Sequence, residues 1–357
     1  TSAVFMVTRL LADSVRLFAT AIPLALITGW PYPASIAVIG VLTVIYTYFG
    51  GIKAVVWVDS LQMTLYLGGA VAALVALQGD VPGGWGSILS SASQAGKLQA
   101  LDFSLALNTP YTFWAGLLGG GFLSMASHGT DQLIVQRLLT CRDLRSSQKA
   151  LVGSGVAVIV QFVLFLTVGL GLWAFYQGRA FERSDEIFAT FIVEQLPPGI
   201  TGLLIAAVFA AAMSSLSSSI NSLASASAYD YWAPLAKAEG DEGRILRAGK
   251  VFTLIWAGLL IAGAIVFIPL SRGTTAVEVA LGVASLVYGG LLGAFALGVL
   301  TRRPGQGAAI VGMVAGIGVV TVFRGSMAYP WYALVGALVT FAVGLVVGRL
   351  GFAREST

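Results

Sequence analysis

Between Ser214 and Ser222 the sequence SSLSSSINS puts six serine hydroxyls and an asparagine amide into a stretch otherwise made of Leu, Ile, Val, Phe, Met and Ala. On a helix advancing about 100° per residue, Ser214, Ser217, Ser218, Asn221 and Ser222 share one face, with Ala211 and Ser215 at its edge. Two chemistries fit such a face. Small hydroxyl residues let helices approach closely, their oxygens spent on the carbonyl four residues back. Alternatively, neutral oxygens inside a membrane can hold a hard monovalent cation that has shed its water, since intramembrane polar clusters are expensive unless they work. Six hydroxyls exceed what packing needs.

Two further sets carry charge in apolar surroundings. Asp59, in WVDSLQ, lies inside a span, where its carboxylate is protonated, reaches the inner surface, or neutralises a bound cation. Arg9, Asp13 and Arg16 fall on one stripe of the segment 3–29. Asp13 can pair with either arginine, but two arginines to one acid leave a positive charge over. A guanidinium grips a carboxylate through two parallel hydrogen bonds, so Arg16, near the middle of the segment, is a candidate anchor for an organic anion. Ser124, Ser127, Ser285 and Tyr288 are polar enough to line a pocket, and each also suits helix packing.

Hydrolytic chemistry has no such support. The sequence carries no HExxH, no GxSxG, one histidine and one cysteine, and its serine run has no base to activate it. An enzyme is not expected. His128 lacks the partners a proton relay needs, and reads as a hydrogen-bonded group at a helix end. Cys141 alone makes neither an internal disulfide nor a cysteine metal site. No filter motif suggests a channel.

These groups must be positioned by elements that live in lipid. Of 357 residues, 57% are hydrophobic and 10% charged, against about 25% charged in soluble domains. With roughly 20 apolar residues per span, ten segments qualify: 3–29, 33–50, 53–78, 110–127, 150–177, 199–228, 248–269, 277–300, 307–324 and 330–349. Their uninterrupted apolarity predicts helices rather than the alternating strands of a barrel. The expected class is therefore an all-α, multi-pass protein of the plasma membrane, in contact with lipid and not nucleic acid. With 3–29 running outward, inside loops hold thirteen Lys and Arg and outside loops five, which fixes the orientation. Residues 178–198 predict a short helix ending at Pro197-Pro198, and 79–109 a polar loop. Gly119, Gly120 and Gly121 provide either a close-packing surface or a break in the helix.

The stretches GGIKAVVWVDSLQ (50–62), GTDQLIVQRLL (129–139) and DEIFATFIVEQLPPGITGLLIAAVFAAAMSSLSSSINSLASASAYD (185–230), with their spacing, resemble the sodium:solute symporter family, which includes sodium–glucose, sodium–proline and sodium–sialic acid cotransporters. The resemblance spans essentially the whole chain. It implies a LeuT-type fold of two inverted five-helix repeats binding solute and sodium (Na+) near the midplane. In that frame residues 1–357 form one transmembrane domain: 3–78 hold core helices 3–5, 110–300 core helices 6–10, and 307–349 two further helices. The family's main sodium site then corresponds to Ser214, Ser215 and the carbonyl of Ala211. A second sodium site corresponds to Asp59, Ser214, Ser217 and Ser218. The third core helix lines the substrate site, and acid-transporting members place an arginine there, which favours Arg16 as anchor; Ser124, Ser127 and Tyr288 are the other substrate candidates. Asp131 belongs to the stretch closing the sixth helix on the cytoplasmic side.

The resemblance also implies helices upstream of residue 3, including a discontinuous first core helix that supplies carbonyls to sodium and part of the pocket; the chain reads as an N-terminally truncated fragment of which those helices are the missing partner. The expected function is sodium-coupled symport of a small organic solute by alternating access, with an organic anion the favoured solute. Alternatives are sugar or amino-acid symport, or a transporter-like sensor domain. Against the sugar reading, the positions matching the family's sugar-binding Asn and Lys are Ser124 and Val158.

Overall fold

Helices, and no strands, make up the regular structure among the described residues, as they must where lipid leaves backbone groups no other partner. The computed structural model describes residues 2–49, 55–177, 179–270, 275–301 and 305–350. The first elements are α1 (Ser2–Thr28), α2 (Tyr32–Phe49), α3 (Val55–Asp80) and α4 (Gly84–Gln94). A π-helical turn (Ala115–Gly120) runs into α5 (Gly121–Thr130), followed by α6 (Gln132–Leu139), α7 (Leu144–Tyr176), α8 (Glu186–Gln195) and α9 (Pro198–Ala226). After α9 come a second π-turn (Ser227–Trp232), the one-turn α10 (Ala233–Leu235), α11 (Glu242–Leu270), α12 (Ala276–Leu300), α13 (Gln306–Phe323) and α14 (Pro330–Leu350).

Helix ends follow local chemistry. Gly29, at φ +69°, stops α1 in a left-handed conformation that costs glycine nothing. Pro198 opens α9, where its missing N–H is not needed. Thr201 Oγ1 donates to the carbonyls of Ile192 and Leu196, both at 2.9 Å, tying the end of α8 to the start of α9. The short helix expected in 178–198 is thus α8. The polar loop 79–109 contains α4, whose Ile88 and Ala92 are fully buried.

Eight described helices are long and apolar enough to cross a membrane. Of the ten segments expected to span, 33–50 forms the 18-residue apolar α2, and the glycine-rich segment 110–127 is divided between the π-turn and α5.

Two compact units share the chain, each discontinuous in sequence. One comprises Ser2–Leu98 with Ile159–Ala280. Its core surrounds α1, whose Leu17, Phe18, Ala21 and Ile22 are buried among α2, α8, α9 and α11. A second cluster joins Ala73 and Leu77 of α3 to Ile88, Val168, Leu172, Phe191 and Leu204. Gly69 lets α9 close on α3, since a Cβ there would collide with the Leu204 side chain.

The other unit comprises Gln99–Val158 and the described residues from Leu281 onward. Here α13 and α14 pack as a pair, and α14 also meets the π-turn and α5. Both alternatives for Gly119–Gly121 leave a trace. The backbone widens to a π-turn rather than breaking, and Gly119 is a packing position: a Cβ there would sit 2.5 Å from the carbonyl oxygen of Pro330. Gly119→Ala should therefore lower stability by about 1–3 kcal/mol, the usual cost of overpacking. Gly116→Ala, where a Cβ meets nothing within 4 Å, should not. Thermal unfolding of the two variants in detergent checks this; equal melting would show that Gly119 does not limit how closely Pro330 approaches.

Candidate functional site

Within the first unit, α1, α3, α7, α8 and α9 line an open cavity of about 500 Å³. Arg16 and Thr20 face it from α1, Tyr66 and Gly69 from α3, and Gln161 and Phe165 from α7. Phe188 and Ile192 come from α8, and Leu204, Ala207, Val208, Ala211, Ala212 and Ser215 from α9. The structure thus brings together one arginine and two of the three residues matched to the main sodium site.

On the charged stripe of α1, Asp13 lies between the two arginines. Asp13 is wholly buried. Its Oδ1 accepts from Arg16 Nη1 at 2.6 Å, and its Oδ2 lies 3.2 Å from Arg9 Nε. Arg9 Nε also donates to Ser219 Oγ on α9 at 3.1 Å. Asp13 is 0% exposed and the Arg16 side chain 44%, so the guanidinium is held on one side and open to the cavity on the other.

Along α9 the serines divide by partner. Ser215 lines the cavity and Ser214 is buried. Ser219 serves Arg9. Ser222 donates to the carbonyl of Ser218 at 2.9 Å, spending itself on its own helix. Ser217 and Ser218 are half-buried on that helix. Asp59 lies on α3, but its side chain falls outside the described residues, so its place in a second cation site stays with the sequence resemblance. The donor set at Ala211, Ser214 and Ser215 is neutral oxygen, which suits an alkali cation. It comes from one helix only, and a complete shell needs oxygens from another element. Among the described residues, no three His, Cys, Asp or Glu side chains converge on a metal position.

Two features were not anticipated from the sequence. The first is a polar pair that shares the cavity with Arg16. Tyr66 donates its hydroxyl to Gln161 Oε1 at 3.0 Å, and both side chains face the cavity. Its signal in the sequence is a Tyr and a Gln inside otherwise apolar spans. The second is the loop before α8. There Arg183, 5% exposed, lies 5.3 Å from the Phe18 ring centre and 5.0 Å from that of Tyr32. Tyr32 donates to Glu186 at 2.6 Å.

Beside it, Asp185 Oδ2 accepts from Ala276 N at 3.0 Å, capping α12. Burial pushes the Asp185 carboxyl above its ordinary range, and Glu186 and Glu278 push the same way; the Ala276 N–H and Arg183 oppose them. A carboxyl raised in the folded state binds its proton more tightly there than in the unfolded chain. Its contribution to stability is complete below the unfolded value and is lost as pH rises through the folded one. Asp185→Asn should flatten the fall in melting temperature from mildly acidic to neutral pH. An unaltered slope would show that another group sets it.

In the other unit, Ser124 lines a second cavity of about 550 Å³ with Thr112, Phe113 and Tyr329 among others. Ser127 Oγ donates to the Ser124 carbonyl at 3.1 Å and sits 2.9 Å from His128 Nδ1. His128 is thus hydrogen-bonded within its own helix. Tyr288 donates its hydroxyl to Asp131 Oδ2 at 2.7 Å, and Ser285 is fully buried.

A sequence model of the Sodium:solute symporter family matches residues 1–316. A sodium/sialic acid symporter of Aliivibrio fischeri is 32% identical over 87% of this chain and 63% of its own length. One from Proteus mirabilis is 29% identical over 88% of this chain and 65% of its own. The sodium-coupled monocarboxylate transporter 1 of Homo sapiens is 26% identical over 91% of this chain and 54% of its own. The chain therefore spans between about half and two thirds of the length of these relatives. A solved structure of a Na+-coupled sialic acid symporter, substrate-bound and outward-open, superposes with a TM-score of 0.82 at 26% identity, covering 98% of this chain and 73% of that one.

Proposed function

This chain belongs to the sodium:solute symporter family, and from that premise we propose that it forms the solute- and cation-binding part of a sodium-coupled importer of small organic anions in the cell membrane. The fold is the all-helical LeuT type of its structural neighbour, and the relatives are transporters, not enzymes. The observation that carries the proposal is a shared cavity: Arg16 of α1 faces the same space as Ala211 and Ser215 of α9. An anion held at one wall and a cation at another would share one mainly apolar volume, where each lowers the cost of burying the other.

In this reading the carbonyl of Ala211 and the hydroxyls of Ser214 and Ser215 hold one sodium ion, and Asp59 with Ser214, Ser217 and Ser218 holds a second. Arg16 takes the solute carboxylate with the side of its guanidinium that Asp13 leaves open. Tyr66 and Gln161 offer hydrogen bonds to the rest of the solute. Two relatives are named for sialic acid and another for monocarboxylates, which supports a carboxylate as the feature recognised. The helices outside this chain in the longer relatives would complete the sodium shell. Transport follows if sodium binds the outward-open arrangement more tightly than the inward-open one, since equal binding to both would move nothing. In this reading 3–78 is part of the first inverted repeat and 110–300 is the second, and alternating access would come from one repeat moving against the other.

The test is uptake by the full-length protein in proteoliposomes, with labelled sialic acid, lactate, glucose and proline, with and without an inward sodium gradient. Sodium-driven accumulation of one of the two acids is expected. Uptake that ignores the gradient, or that favours glucose or proline over both acids, would overturn the reading.

A further inference from the structure

One hydrogen on α1 has two acceptors. Arg9 Nε stands 3.1 Å from Ser219 Oγ on α9 and 3.2 Å from Asp13 Oδ2 on its own helix. Its geometry favours the hydroxyl: Asp13 Oδ2, although buried, receives no hydrogen bond among the described residues. The Asp13 carboxylate is then served chiefly by Arg16 Nη1 at 2.6 Å on the other oxygen.

We propose that Asp13 is a positioning residue that links solute binding at Arg16 to sodium binding on α9, through the chain Arg16–Asp13–Arg9–Ser219. The inference rests on the transport reading above and adds the means by which the two sites communicate. A solute carboxylate at Arg16 competes with Asp13 for the same guanidinium. Asp13 cannot turn to water, because it is fully buried, and a buried carboxylate that loses its partner is strongly disfavoured. It can release Arg16 when Arg9 turns its Nε hydrogen from Ser219 to Asp13 Oδ2. Ser219 lies one turn beyond Ser215 on α9, so a cation that draws the hydroxyls of Ser214 and Ser215 into its shell shifts the segment that carries Ser219. Sodium loosens Ser219 from Arg9, Arg9 takes over Asp13, and Arg16 is released to the solute. The device has two discrete hydrogen-bonded arrangements, which is what carries coupling between sites.

The arrangement makes an expectation that a merely structural role does not. Ser219→Ala removes the hydroxyl that competes for the Arg9 Nε hydrogen without changing charge, so that hydrogen should serve Asp13 permanently. Solute affinity without sodium should then rise toward the sodium-saturated value. Asp13→Asn should have the same consequence, because an amide does not hold the guanidinium as a carboxylate does. The readout is the ratio of solute dissociation constants without and with saturating sodium, measured with labelled sialic acid or lactate, whichever the unsubstituted full-length protein takes up. Coupling between sites typically spans 5- to 150-fold; the ratio should fall below about twofold in either variant, with sodium-saturated affinity held within about threefold. The double variant should be no different from the singles, since both cut one chain.

A Ser219→Ala protein that keeps the parent ratio overturns the proposal, and so does one whose affinity falls equally with and without sodium. If Asp13→Asn does not fold, Ser219→Ala alone decides. Absence of any sodium-linked binding in the unsubstituted protein would overturn the transport reading as well, and so is distinguishable from failure of this link.

Discussion

Arg16→Gln is expected to abolish measurable binding of a carboxylate solute at concentrations that saturate the parent, while leaving sodium binding intact. The guanidinium lies partly open in a cavity where the other polar groups are neutral: Thr20, Tyr66, Gln161 and Ser215. Removing a charge-assisted hydrogen bond from such a place costs about 2–5 kcal/mol, which is roughly a thirtyfold to several-thousandfold loss of affinity. The fold should survive. Glutamine keeps an N–H for Asp13, and Arg9 remains 3.2 Å from the other carboxylate oxygen. Arg16→Lys should fall between, because an ammonium keeps the charge without the planar fork. Equilibrium binding of labelled sialic acid or lactate, read beside sodium-induced fluorescence change, separates the two sites. Solute affinity within threefold of the parent would remove Arg16 from the anchor role.

Ser215→Ala is expected to raise the sodium concentration for half-maximal uptake by roughly tenfold to a hundredfold, taking one oxygen's bond to a charged group as about 1.5–3 kcal/mol. Stability without sodium should be unchanged or slightly improved, since alanine is the better helix former. Ser222→Ala is the internal control. Its hydroxyl is spent on the Ser218 carbonyl, so its removal should leave sodium dependence alone. A parent-like sodium requirement in Ser215→Ala would take that hydroxyl out of the ion's shell. The contrast between two serines seven residues apart on one helix isolates a ligand role from a general effect of removing serines.

Most of the membrane architecture was legible because lipid imposes so strict a rule on the backbone: a span must be a run of apolar residues closed on itself by hydrogen bonds. The helix in 178–198 was legible for a local reason, apolar spacing followed by Pro197-Pro198. The segment 110–127 was less so. Gly119 permits both close approach and backbone distortion, and which occurs depends on Pro330, more than two hundred residues away.

The same limit governs the site. Composition, the serine face, the excess arginine on α1 and the family motifs follow from the sequence alone, because they depend on residue type and on the fixed period of a helix. Which serine meets which partner does not. Ser215 facing the cavity, Ser219 serving Arg9 and Ser222 turned to its own backbone are indistinguishable as letters in a run. They differ only by what α1 and α3 place opposite each one. Likewise Tyr66 and Gln161 became a pair only when α3 and α7 were brought side by side. Periodicity assigns a residue to a face of its helix; the identity of the neighbour across that face is settled by packing between distant segments, and only the tertiary structure decides it.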